Sequence, residues 1–179
     1  MKWNLLKEKV YFVDGSLRDI IIYDMNQQLW EKWINYVNTK YPLKFKDFSN
    51  NITLNYIDID LVKEEWLGKE ESYYAMIDIK GISVRCYFNC IGILEQDFYP
   101  QEVINEQKHN ELMQYIVACS MLLHKKIIIT PEMQNEDILI SVQGNKVDYQ
   151  ANKNCAYLLN LCFLCAKRLL RQPFLLKNR

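Results

Sequence analysis

The sequence predicts an α+β fold, a mainly antiparallel sheet of hairpins with three helices packed against it. Short runs of β-branched and aromatic residues are separated by turn dipeptides such as Asp14-Gly15 and Lys80-Gly81. Three longer segments instead repeat apolar residues at helical spacing. The chain has 179 residues, half of them hydrophobic and a quarter charged, as expected for one globular domain. We therefore expect residues 1–179 to form a single domain.

The strand signals follow one another through the first 150 residues. The strongest is a hairpin in which 10–13 and 17–23 flank the turn at Asp14-Gly15-Ser16, where Gly15 supplies a positive φ. Residues 73–79 and 82–88 form a second predicted hairpin, and 138–142 and 146–149 form a third. Further strands are predicted at 43–46, 52–59, 91–97 and 126–130.

The helical segments are bounded by recognisable start and stop signals. The first spans 26–41, with Asn26 or Asp24 as its cap and Pro42 at its end. The second spans 101–124 and follows Pro100. The third spans 153–171, ahead of Pro173. The polar segment 60–72, interrupted by Gly68, is predicted to be a loop.

Charge and cysteine content limit the classes of function. The chain carries 22 basic and 22 acidic residues, so its overall charge predicts neither a nucleic-acid partner nor a membrane. The balance is uneven: residues 1–150 hold 16 basic and 22 acidic groups, net −6, whereas 151–179 hold six basic and no acidic groups, net +6. The start of the chain has no apolar signal core, which predicts a cytoplasmic protein with reduced thiols. The longest apolar stretch, 155–166, has 12 residues, too few to span a bilayer.

The sequence offers no recognisable catalytic motif. Cys162-Phe163-Leu164-Cys165 matches a C-x-x-C spacing, but it has no second ligand pair and falls inside a predicted helix, which favours core packing. His109 is expected on the polar side of its helix, and His124 at that helix's end. We therefore predict no catalytic residue, no cofactor and no metal site.

The segment 63–74 is the candidate partner-binding site because it combines aromatic residues with carboxylates. Aromatic side chains anchor interfaces, and carboxylates steer a basic partner. The alternative is a solvated loop whose Trp66 packs into the core. The candidate residues are Glu64, Glu65, Trp66, Glu70, Glu71, Tyr73 and Tyr74.

The run Val10-Tyr11-Phe12-Val13-Asp14-Gly15-Ser16-Leu17-Arg18-Asp19-Ile20, followed by Trp30 and Trp33, resembles the opening of a group of small bacterial proteins. The segments 78–82, 95–103 and 127–132 resemble the same group in the same order. The similarity covers about residues 10–142. The predicted helix at 153–171 lies outside it and is an addition to the family core on this interpretation.

Several proteins of this group resemble immunity proteins of polymorphic-toxin and contact-dependent growth inhibition systems. The resemblance implies that the chain binds a cognate toxin domain in the cytoplasm and covers its active site. A basic nuclease would be steered by the acidic body of the chain. Two alternatives stay open: a small enzyme with a cysteine nucleophile beside His109 or His124, and a cytosolic regulatory or ligand-binding module. The sequence does not determine the oligomeric state.

Overall fold

The computed structural model describes residues 2–48, 51–69 and 72–150. In these residues nine strands form one antiparallel sheet in the order β3-β2-β4-β5-β6-β1-β7-β8-β9. The strands are β1 Arg18–Tyr23, β2 Leu43–Asp47, β3 Thr53–Leu54, β4 Tyr73–Ile79, β5 Ile82–Tyr87, β6 Ile93–Phe98, β7 Lys126–Pro131, β8 Ile140–Gln143 and β9 Lys146–Tyr149. The α+β prediction is confirmed.

Four α-helices are described: α1 Trp3–Lys9, α2 Gln27–Lys40, α3 Ile59–Trp66 and α4 Glu106–Leu123. The predicted helix 26–41 corresponds to α2, whose Asn26 side chain accepts a hydrogen bond from the Leu29 amide and caps the first turn. The predicted helix 101–124 begins later than expected, since Pro100–Glu102 is a short 3₁₀ turn and the cap of α4 is Asn105. The predicted helix 153–171 and its C-x-x-C lie outside the described residues.

Two helices were not predicted. The first, α1, lies before residue 10, where the first predicted element begins. The second, α3, occupies most of the segment predicted to be a loop, because Asp58 caps it by accepting from the Asp60 amide at 2.9 Å. The predicted strand 52–59 shortens to β3 for the same reason.

The predicted hairpin of 10–13 with 17–23 is wrong. Strand β1 lies between β6 and β7, and residues 10–17 form a loop around the fully buried Arg18. The guanidinium donates to the carbonyls of Val10, Phe12 and Leu17 at 2.8, 2.8 and 2.9 Å. Gly15 does adopt a positive φ, of 87°. A buried cation thus satisfies carbonyls that a strand partner would otherwise bond.

The two faces of the sheet differ in what covers them. Along β1, Ile20 and Ile22 join the hydrophobic core together with the buried residues of α2 and α4. On β6, the Gln96 side chain donates to Tyr115 of α4 at 2.7 Å, so alternate residues of this strand also face the helices. The opposite face, which includes Asp19, Ile21, Glu95 and Asp97, is called the helix-free face below, because the described helices pack on the other side.

Candidate partner-binding site

The segment predicted to bind a partner is divided between α3, the loop after it and the start of β4. Within it, Glu64 forms an ion pair with Lys69. Glu65 accepts a hydrogen bond from the Tyr73 amide at 2.9 Å and so connects the end of α3 to β4. Glu70 and Glu71 lie outside the described residues.

Trp66 is half-buried and packs towards the core, as the alternative interpretation of this segment expects. Its indole nitrogen donates to the Phe88 carbonyl at 2.8 Å, and its ring centroid lies 5.5 Å from that of Trp30. These contacts hold α3 against α2 and the end of β5. The side chain is therefore placed to stabilise the surface around it.

Tyr73 and Tyr74 point to opposite sides of β4. Tyr73 is buried and stacks on Phe45 with 5.2 Å between the ring centroids. Tyr74 is half-buried, and its ring centroid lies 5.1 Å from that of Phe48, a residue that is 59% exposed. Phe48 was not singled out from the sequence, because it follows a strand at a position with no periodic signal of its own.

We call this end of the sheet the α3–β4 surface. It is formed by Glu64 and Glu65 of α3 and by the ring pair Phe48 and Tyr74. The carboxylate of Glu65 accepts from the backbone amide of Tyr73 at the start of β4, whereas the pairing of Tyr74 with Tyr87, and of Tyr87 with Glu95, puts the aromatic pair on the helix-free face. Exposed aromatic rings beside charged groups are typical of protein-binding surfaces. This surface can therefore offer a partner both an anchor and a charge.

The helix-free face brings together a second set of carboxylates. Asp19 pairs with Asp97 across β1 and β6, and Glu95 lies two residues along on the same face. Asp97 is held by Arg85 at 2.8 Å and by the Tyr87 hydroxyl at 2.9 Å. Burial, together with the charges of nearby carboxylates, raises the pKa of Asp19 to about 6.

Three further carboxylates, Glu102, Glu106 and Glu132, differ in how they relate to this set. Glu102 accepts from the Ser83 amide at 2.8 Å, and Glu106 is exposed in the first turn of α4. Glu132, by contrast, is close enough to Asp19 and Asp97 to raise the pKa of both. The acidic group on the helix-free face therefore includes Asp19, Glu95, Asp97 and Glu132.

His109 is buried, not on the polar side of its helix as predicted. Its Nδ1 lies 2.7 Å from the Tyr11 hydroxyl, and its Nε2 lies 3.0 Å from the Tyr149 hydroxyl. A neutral imidazole has one donor and one acceptor nitrogen, and two phenols satisfy both. Burial lowers the pKa of His109 to about 4, which keeps it neutral at pH 7.

The two buried thiols of the described residues, Cys86 and Cys119, are poorly suited to nucleophilic chemistry. Burial raises the pKa of Cys119 to about 12 and raises that of Cys86 as well, so both are protonated at neutral pH. Among the described residues, no three His, Cys, Asp or Glu side chains are grouped to hold a metal ion. None of the described helices is long and apolar enough to cross a membrane.

Similarity to known proteins extends to a solved structure. No family model and no curated protein matches the chain. A solved structure that is similar is the crystal structure of the toxic C-terminal tip of CdiA from Pseudomonas aeruginosa in complex with immune protein. The match has 15% sequence identity and a TM-score of 0.45, and it covers 74% of this chain and 97% of that chain.

Proposed function

We propose that this protein is a cytoplasmic immunity protein that binds the toxin domain of its own system and covers the toxin's active site. It acts by stoichiometric binding and has no turnover of its own. The observation that carries the proposal is the aromatic pair of the exposed Phe48 and the half-buried Tyr74, at the end of the sheet where α3 brings Glu64 and Glu65. The resemblance of residues 10–142 to a group of small bacterial proteins, several of which resemble immunity proteins, supports it independently.

The carboxylates and the aromatic pair of the α3–β4 surface have separate roles, one in association and one in dissociation. The carboxylates attract a toxin with a basic cleft, such as a nuclease, and so increase the association rate. The aromatic pair is then desolvated in the complex, which slows dissociation. Trp66 and Tyr73 support the surface from beneath, since both are packed against core aromatic residues. Of the residues predicted from the sequence, Glu64, Glu65 and Tyr74 are therefore the proposed direct contacts.

The test uses a toxin domain encoded beside this gene. The full chain should form a one-to-one complex with it and restore growth when the two are co-expressed. Failure of the purified proteins to bind, with the toxin shown to be folded and active, would contradict the proposed function.

Two variants then separate the roles within the surface. Glu64→Lys should slow association at low salt and leave dissociation nearly unchanged, with Glu8→Lys on α1 as the charge-matched control. Phe48→Ala should speed dissociation by about tenfold or more, the result of losing an anchor that contributes ~1.4 kcal/mol or more. Tyr56→Ala is the matched control, because Tyr56 is 46% exposed and lies outside the α3–β4 surface. Binding by both test variants at the rates of the parent would place the interface elsewhere.

A further inference from the structure

The helix-free face has a regular composition across its middle strands. Cross-strand pairing aligns Thr130, Asp19, Asp97 and Arg85 in one row. The next row runs from Ser141 through Ile128 and Ile21 to Glu95, as the same pairings continue to β8. The face therefore combines an apolar centre with several carboxylates.

Polar groups on this face lack partners within the described part of the chain. Thr130 is fully buried, and its hydroxyl has no hydrogen-bond partner among the described residues. The same holds for Nη2 of Arg85, an atom shielded from solvent although the side chain is 25% exposed. A buried polar group without a partner destabilises the folded state, so these atoms favour a contact that supplies one. Ile21 and Ile128 are also 2% and 7% exposed, although the described helices lie on the other face.

The segment 151–179 has the composition that this face requires. It contains six basic and no acidic residues, whereas residues 1–150 carry a net charge of −6. Its apolar run at 155–166 can cover the two isoleucines, and its backbone carbonyls can accept from Arg85. Charge and apolar content are thus complementary between the segment and the face.

The path of the chain allows this contact. Residue 150 follows the edge strand β9, and its amide donates to the Leu139 carbonyl at 3.0 Å. From β9 to β6 the sheet has four strand spacings, or ~19 Å at ~4.8 Å each. A helix over the predicted range 153–171 would be ~28 Å long, enough to cross that distance.

We propose that the segment 151–179 of this chain docks across the helix-free face and covers β8, β7, β1 and β6. Its basic side chains lie beside Asp19, Glu95, Asp97 and Glu132, and its apolar side chains lie on Ile21 and Ile128. The segment is thus part of the folded domain and neutralises the carboxylates of this face.

A photo-cross-linker placed on the face tests the contact in the full chain. Tyr23 is suitable because it lies on the same side of β1 as Asp19 and Ile21 and is 41% exposed. Benzoylphenylalanine in place of Tyr23 should cross-link within one chain to a peptide from 151–179, as read by mass spectrometry. The same probe in place of Tyr56, on the loop before α3, is the control and should not. A cross-link from position 23 to a second copy, to another segment, or to nothing would overturn the proposal.

Charge reversal provides a second test with the same intact chain. Lys167→Glu, Arg168→Glu and Arg171→Glu together should abolish the cross-link from position 23 and lower Tm. Glu95→Lys with Glu132→Lys should also lower Tm. When the charge reversals of the segment and of the face are combined, Tm should be about 3 °C or more higher than the sum of the two separate losses predicts. The control set Glu8→Lys with Glu106→Lys, on α1 and α4, should show no such recovery. Strictly additive losses of Tm together with an unchanged cross-link would overturn the proposal. Loss of the cross-link in the triple variant of 151–179 supports it even if the double variant of the helix-free face fails to fold.

Discussion

Replacing Arg18 should remove the support of the whole loop from Val10 to Leu17. The side chain is fully buried and donates four hydrogen bonds, to Ser16 Oγ and to three backbone carbonyls. Arg18→Met leaves those acceptors without their donor. Arg18→Lys keeps the charge but not the planar fork that reaches Val10 and Phe12 on separate nitrogens.

The expected magnitudes follow from these bonds. Hydrogen bonds to a charged group contribute about 1.5–3 kcal/mol each, so losing all four should lower the free energy of unfolding by about 6 kcal/mol or more. That is a large part of the 5–15 kcal/mol typical of a domain, so Arg18→Met should be at most marginally folded. Arg18→Lys should lose about 2–3 kcal/mol, which corresponds to a Tm decrease of about 5–10 °C for a chain of this size.

Urea unfolding followed by far-ultraviolet circular dichroism gives the free energies for the two variants. The control is Lys44→Met, which removes an exposed cation from β2 and should change stability by less than about 0.5 kcal/mol. The free energy of unfolding should decrease most in Arg18→Met, less in Arg18→Lys and least in the control Lys44→Met. If Arg18→Met loses less than about 1 kcal/mol, the buried guanidinium does not hold the loop.

Other predictions concern pH and backbone strain. The pKa of His109 is lowered to about 4 from 6.5, so its contribution to stability falls as pH decreases from 6.5 to 4. The pKa of Asp19 is raised to about 6 from 3.8, so its contribution falls as pH increases from 3.8 to 6. The two changes in stability oppose each other, and each is on the order of 3 kcal/mol over its pH range. Chemical unfolding between pH 4 and 6.5 should therefore show His109→Gln losing stability with rising pH and Asp19→Asn gaining it; an equal pH dependence in the two variants would contradict these assignments. Gly15→Val should lower the free energy of unfolding by about 1 kcal/mol or more, because φ is 87° there and a β-branched residue is strained even with open space around it; an unchanged Tm would refute this.

Sequence patterns predicted the elements whose signals are local. The hairpin of β4 and β5 was found at its turn because Lys80 and Gly81 both take positive φ, the conformation that such a turn requires. Helix α2 was found because its cap and its apolar stripe are adjacent in sequence. The β8–β9 hairpin, across Gly144, was predicted for the same kind of reason.

Apart from α3, which has a local cap at Asp58, the features that were missed depend on contacts between distant segments. The sequence of the loop at 10–17 predicts half of a hairpin. In the structure β1 pairs with β6 and β7 instead, so the carbonyls of the loop accept hydrogen bonds from Arg18. The sequence places His109 on the polar side of its helix, because Tyr11 and Tyr149, which bond to it, are far from it along the chain. Within the candidate site, carboxylates and tyrosines were identifiable by type, but the exposed Phe48 was not, since its role depends on the ring of Tyr74.

The two proposed contacts occupy different halves of the sheet and need not compete. Tyr74 lies on β4, on one side of β5, whereas the proposed path of 151–179 crosses β8, β7, β1 and β6 on the other side. If the basic segment neutralises the carboxylates of the second half, the negative charge that steers a basic partner is left at the α3–β4 surface. The salt dependence of toxin association should then respond to Glu64→Lys and hardly at all to Glu132→Lys. The reverse ranking, measured by stopped-flow association at two salt concentrations, would show that the partner approaches the helix-free face instead.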